Sequence, residues 1–189
     1  MRLAAEVERL ERELAAARNQ MAALETCAEI DPLTDLVNRR GFEREFKRAL
    51  AYVKRYCVDA ALIYLDLDGF KQVNDRHGHA AGDAVLKAVA MVLARHVRSS
   101  DLVARLGGDE FVALLWNLDE AGAQLKARAL EAAVARTTAT HNGTLLTVGA
   151  SAGAAMLLPL DTPAKVLERA DRAMYARKSG RRGAVAAQS

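Results

Sequence analysis

The sequence predicts an α+β domain, an antiparallel-rich sheet flanked by helices, preceded by one N-terminal helix. Three observations carry this expectation. Short apolar runs alternate with longer amphipathic stretches along residues 39–178. A Gly-Gly pair, Gly107–Gly108, joins two of those runs as a hairpin turn does. The first thirty residues carry a heptad pattern and no strand signal.

Taken in order, the N-terminal segment comes first. Leu3, Val7, Leu10, Leu14, Ala17, Met21, Leu24 and Ala28 alternate spacings of four and three, the a/d seam of a coiled coil, with charged and polar residues between them. Pro32 ends the helix. Residues 1–30 are therefore expected to form a parallel coiled-coil stalk, and residues 31–183 a single domain. Residues 184–189 read as a loose tail.

Within the domain, 39–55 reads as helix and "AALIYLDL" as strand, rich in apolar residues over a strand's length. "GFKQVNDRHGH" reads as a short helix and turn, and "DAVLKAVAMVLARHV" as a strong amphipathic helix. The hairpin around Gly107 follows, then a helix over 119–137, a strand in "LLTVGASAGAAML", and a last helix in "TPAKVLERADRAMYARK". Strand, helix, hairpin, helix, strand is the split βαβ, ferredoxin-like order.

The hairpin raises a chemical question. In "RLGGDEF", Asp109 and Glu110 follow the two glycines directly. A turn needs one polar residue, whereas two adjacent acids repel each other, so the tip is expected to receive a cation. Strand alternation sends Ile63, Leu65 and Leu67 to one face and Tyr64, Asp66 and Asp68 to the other. Asp66 then ends its strand beside Asp109 and Glu110. Carboxylates converging at strand ends suit a hard divalent cation carrying nucleotide phosphates.

Composition limits the alternatives. With 27 basic and 24 acidic residues the net charge is only +3, which gives no field for gripping nucleic acid. Two cysteines, Cys27 and Cys57, make neither a disulfide scaffold nor a metal motif. No apolar run approaches the ~20 residues of a membrane span. A soluble cytoplasmic chain is the expectation.

"GGDEF", "DPLTDLVNRRGF", "LDLDGFKQVNDRHGHAAGD" and "ADRAMYARK" together resemble the GGDEF-family diguanylate cyclases, over residues 31–183 in that family's order and spacing. The resemblance implies a fold like the polymerase palm and the condensation of two GTP into cyclic di-GMP and two pyrophosphates. It also implies Mg2+, or Mn2+ in its stead, held by Asp66, Asp109 and the Leu67 carbonyl, with Glu110 assisting and Asp109 as proton acceptor. Gly107 and Gly108 border the substrate. Asn74 and Asp83 fall at the guanine-binding positions and His79 at a nearby substrate position. A carboxylate suits guanine, accepting from N1–H and the exocyclic amine, a donor pair that adenine lacks. Asp83 has a second reading, as N-cap of the helix that follows.

Lys178 and Arg182 fall at triphosphate-binding positions, and they also suit a helix C-terminus. Gly180 lies one residue earlier than the family pattern has it, so Arg181 competes with Arg182 for that role. Asp35 stands where the family usually has Gly, outside the chemistry. Arg98 and Asp101, in "RSSD", match by offset an inhibitory site for the product. The remaining implied partner is a second copy of the chain, paired through the N-terminal helix. Retention of the whole signature separates this reading from a catalytically dead cyclic di-GMP receptor and from a mere dimerisation module.

Overall fold

The computed structural model describes residues 6–7, 9–14, 18 and 29–186, with side chains up to Ser179. The strands are β1 (Val37–Asn38), β2 (Ala60–Asp68), β3 (Leu102–Gly107), β4 (Glu110–Trp116), β5 (Thr138–His141), β6 (Thr144–Thr147) and β7 (Gly149–Met156). The helices are α1 (Arg39–Tyr56), α2 (Phe70–His77), α3 (His79–Arg95), α4 (Glu120–Ala135) and α5 (Pro163–Ala186).

The main sheet has the order β1-β3-β4-β2-β7. β2 lies antiparallel between β4 and β7, and β3 pairs antiparallel with β4. With α2–α3 and α4 as the two crossings, this is the ferredoxin-like arrangement, and the α+β palm-like expectation holds. β1, two residues long, adds a parallel pairing to β3 and makes the sheet mixed. One further difference concerns "LLTVGASAGAAML". It is two strands: β6 pairs with β5 in a separate two-stranded sheet and β7 joins the main one. Asn142 and Gly143 make that hairpin, with φ 48° and 77°, the positive pair that a primed turn requires.

The sheet is covered on both faces because its strands are apolar on both. Ile63, Leu65, Leu67, Phe111 and Ala113 pack with Val85, Val89, Leu130 and Val134 of α3 and α4. Leu62, Tyr64, Val112 and Leu114 pack with Phe42 and Phe46 of α1 and Val166, Ala170 and Met174 of α5. Caps fix where α1 and α4 begin: Asn38 accepts from the Gly41 N–H at 3.0 Å and Asp119 from the Gly122 N–H at 2.7 Å.

Of the expected N-terminal seam, Val7, Leu10 and Leu14 are helical and about half exposed. Leu3, Ala17, Met21, Leu24 and Ala28 lie outside the described residues. At the other end α5 runs through Ala186, into the segment expected to be loose.

Candidate active site

The C-terminal end of β2 and the β3–β4 hairpin meet at one edge of the sheet. Asp66 pairs with Glu110 in the β2–β4 register, so both side chains leave the same face. The Leu67 N–H donates to the Asp109 carbonyl at 3.3 Å, tying the hairpin tip to β2. Gly107 and Gly108 have φ 142° and 52°, and the ladder shifts register between Arg105 and Gly107. The glycines thus allow a bulged turn that throws Asp109 beside Asp66.

Charge is concentrated at this edge. Burial pushes the Asp109 carboxyl above the ordinary range, and the negative charges of Asp66 and Glu110 push it further, against its backbone hydrogen bond and the Lys178 ammonium. Lys178, from α5, forms an ion pair with Asp66 and lies 3.8 Å from Asp68. The Ser151 hydroxyl donates to both oxygens of Asp68, at 3.1 and 2.9 Å. A carboxylate pushed up by burial and by two neighbouring acids, with one ammonium opposing them, sits where further positive charge is favourable.

Glu110 is turned away from that pair. It accepts from the Tyr64 hydroxyl at 2.8 Å and lies 3.6 Å from the Arg39 guanidinium. Burial, and donation to Glu110, raise the Tyr64 phenol above its usual value. Among the described residues no three His, Cys, Asp or Glu side chains form a metal cage. The donors present are instead Asp66, Asp109 and backbone oxygen. That set fits Mg2+, which usually takes one or two carboxylates and completes its shell with substrate phosphates and water.

The expected guanine residues fall on the helix pair beside this edge. Asn74 lies in α2, and among the described residues its buried Oδ1 has no hydrogen-bond partner. His79 is the first residue of α3 and is exposed. Asp83 is exposed in the second turn of α3, whose N-cap is Gly78. The N-cap reading of Asp83 is thereby excluded. Lys178 lies against the carboxylates, while Arg181 and Arg182 sit on α5 beyond the described side chains.

Arg98 is exposed, just before β3 at the end of the β3–β4 hairpin away from its Gly107–Gly108 tip. The Asp101 carboxylate accepts from the Arg98 N–H at 2.9 Å and the Trp116 N–H at 3.1 Å. It closes the "RSSD" turn and pins it to the end of β4.

Two supports escaped the sequence reading. Asp31, in the "DPLT" turn, is 3.2 Å from Arg105 through both oxygens, and Arg105 donates to the Gly108 carbonyl at 3.1 and 2.9 Å. Burial raises the Asp31 carboxyl, but Thr34 and Arg105 together hold it below the usual range. The clamp fixes the hairpin tip from behind. Glu131 is the second. Only 4% exposed, it accepts from the Ala152 N–H of β7 at 2.8 Å and from Arg177 at 2.9 and 2.6 Å. Arg177 immediately precedes Lys178. A long-range ion pair leaves no local periodicity, so only the isolated charges were visible in the sequence.

A palm-like sheet with acidic residues at a strand end, a glycine hairpin beside them and a lysine across the gap defines a class of nucleotide-handling domains. The family model described as "Diguanylate cyclase, GGDEF domain" matches residues 28–184, and the chain belongs to that family. It is 41% identical over 169 residues to the probable diguanylate cyclase DgcE of Escherichia coli K12, covering 89% of this chain and 15% of that protein. It is 40% identical over 173 residues to the diguanylate cyclase TpbB of Pseudomonas aeruginosa, covering 88% of this chain and 39% of that one. The chain thus spans well under half the length of these relatives. Among solved structures, the coiled coil and GGDEF domain of DgcB from Caulobacter crescentus, in complex with c-di-GMP, matches at TM-score 0.76 and 30% identity. That match covers 95% of this chain and 96% of that one. Diguanylate cyclase SiaD of Pseudomonas aeruginosa, in complex with its activator SiaC, matches at TM-score 0.77 and 31% identity, covering 95% of this chain and 69% of that one.

Proposed function

We propose that this chain is a diguanylate cyclase that condenses two GTP into cyclic di-GMP and two pyrophosphates. The observation that carries the reading is the meeting of Asp66, Asp109 and Lys178 at the hairpin edge of the sheet. Asp66, Asp109 and the Leu67 carbonyl hold Mg2+, or Mn2+ in its stead, with Glu110 assisting. The bound ion supplies Lewis acidity that favours a nucleophile from a ribose 3′-hydroxyl and offsets charge on the α-phosphate. Asp109 accepts the proton. Asn74 and Asp83 read the guanine edge, with His79 nearby and Gly107 and Gly108 letting the backbone approach. Lys178 and Arg182 take the phosphates.

Each domain holds one GTP, so the chain works as a dimer in which two domains face each other. Each 3′-oxygen attacks the other nucleotide's α-phosphorus and displaces pyrophosphate. The N-terminal helix, paired in parallel, tethers the two domains. Arg98 and Asp101 bind the product and inhibit. Exposure of Val7, Leu10 and Leu14 supports the pairing, and the likeness to DgcB, whose structure has a coiled coil and is in complex with c-di-GMP, supports a coiled coil and binding of the product.

The test is incubation of the purified chain with GTP and Mg2+, followed by mass identification of the product. Cyclic di-GMP is expected from wild type and essentially none from Asp109→Asn, whose circular dichroism should match wild type. GTP left unconverted by the wild-type chain, or wild-type rates from D109N, refutes the assignment.

A further inference from the structure

We infer that Gly82 is a positioning residue for Asn74, and through it sets the affinity for the guanine base. This rests on the reading of Asn74 as a base-binding residue. Gly82 lies within the first turns of α3, which gives it no φ that only glycine adopts. Alanine is the better helix former at an interior position, so the backbone itself gives no reason for a glycine. The reason lies across the gap between α2 and α3. A Cβ on Gly82 would stand 1.9 Å from Asn74 Oδ1, 3.0 Å from Asn74 Cγ and 3.2 Å from Phe70 Cζ.

Asn74 therefore occupies the volume a side chain at 82 would fill. Its Oδ1 is packed there, buried and without a hydrogen-bond partner among the described residues, which is a costly arrangement for an amide oxygen. No polar group among the described residues repays that cost. Seating the oxygen against Gly82 does fix the rotamer of the amide, and with it the direction of the amide nitrogen, which is set by the planar geometry of the group. The unmet acceptor and the missing Cβ have one explanation: the helix gives up a methyl group so that Asn74 is held in a single orientation. The next residue is Asp83, so one turn of α3 carries both a reader of the base and the seat for the other.

Any side chain at 82 must rotate Asn74 away. The displaced atom is the end of a side chain rather than backbone, so the cost falls on recognition and not on the fold. The test is calorimetric binding of 3′-deoxy-GTP with Mg2+, a ligand without the attacking hydroxyl, to wild type, Gly82→Ala, Asn74→Ala and the double variant. Gly82→Ala should bind about tenfold more weakly, the equivalent of one lost hydrogen bond to the base. Asn74→Ala should show a similar loss, and the double variant should be no weaker than Asn74→Ala alone, because the two changes remove one interaction. The thermal midpoint of Gly82→Ala should stay at or above that of wild type, which damage to the fold would not allow.

Wild-type affinity in Gly82→Ala overturns the inference, as do losses that multiply in the double variant, which would mean that Gly82 acts on Asp83 or the fold. An unaffected Asn74→Ala overturns both the inference and the role of Asn74, whereas failure of wild type to bind overturns the proposed function. If Gly82→Ala does not fold, the double variant, free of the clash, must fold and bind like Asn74→Ala; its failure to do so overturns the inference too.

Discussion

Removing the Glu131 carboxylate should unfold this domain at a measurably lower temperature and loosen its grip on nucleotide. Glu131→Ala strips three hydrogen bonds, at 2.8, 2.9 and 2.6 Å, from a side chain only 4% exposed. The Ala152 N–H, on the buried edge strand β7, then loses its acceptor, a cost of about 1–3 kcal/mol. Breaking a buried ion pair costs about 3–5 kcal/mol when the surviving charge stays buried. Arg177 keeps 32% of its side-chain surface in water, so much of its charge is rehydrated and the lower end of that range applies. With the low end of both costs, about 4 kcal/mol is the resulting expectation, and at roughly 2–4 °C per kcal/mol for a domain of this size the midpoint should fall by some 8–16 °C. Arg177→Leu should be worse, because it strands the carboxylate, and the paired replacement Glu131→Leu with Arg177→Leu should be milder than Arg177→Leu. Thermal melts at neutral pH measure all of these. A Glu131→Ala midpoint within 2 °C of wild type would refute the reasoning, as would a double replacement less stable than Arg177→Leu. At a temperature where Glu131→Ala is still folded, its KM for GTP should rise, since Arg177 anchors the turn of α5 that presents Lys178.

Four further outcomes are expected. ATP should be refused by a factor of about 10⁴, because Asp83 facing adenine loses its donor pair; comparable turnover of the two nucleotides sinks the base-reading role. Arg98→Ala should relieve inhibition by cyclic di-GMP while activity persists, and identical inhibition curves for variant and wild type reduce Arg98 to a surface cation. Deleting residues 1–28 should lower specific activity at low protein concentration and recover part of it at high concentration, since a tether acts through effective concentration; identical dilution curves make the segment a passive linker. Asp161 is held below the usual carboxylate range chiefly by its hydrogen bonds from Arg169, against burial and with help from the Leu158 N–H. A depressed folded value stabilises above the unfolded value near ~3.9 and loses that contribution as pH falls through the folded one. The midpoint difference between wild type and Asp161→Asn should thus be constant above about pH 5 and shrink below about pH 4; a difference that grows on acidification contradicts the sign.

Local signals made most of this fold readable. The alternation in "LIYLDLDGF" assigned Tyr64 and Leu65 to opposite faces, and they pack in opposite clusters. The Gly107–Gly108 hairpin needed only the chemistry of the turn. Asn142–Gly143 offered the same signal and went unread, because the apolar run after it looked continuous through Val148 and Gly149. β1 is too short for any pattern, and exists because β3 offers it an edge. At the site, spacing brought Asp66, Asp109 and Glu110 to one place but said nothing of side-chain direction. Glu110 turns to Tyr64 and Arg39, partners 46 and 71 residues away in sequence. Asp31 and Arg105, 74 residues apart, are likewise a tertiary match. Charged residues on amphipathic elements look solvated until the fold shows what they face.

Lys178 on Asp66 means that the cleft carries a counter-ion of its own. On the proposed reading a divalent cation arriving by itself would have to evict a tethered ammonium as well as shed water, so it would gain less than the number of carboxylates implies. On the proposed reading a nucleoside triphosphate would alter the exchange, because its phosphates would receive the ammonium that the metal displaces. Each ligand would then remove an obstacle to the other, and by reciprocity each would raise the other's affinity. The lysine is a placeholder. It offsets part of the repulsion among the carboxylates, and on the proposed reading it would give up its position most readily when metal and nucleotide come together.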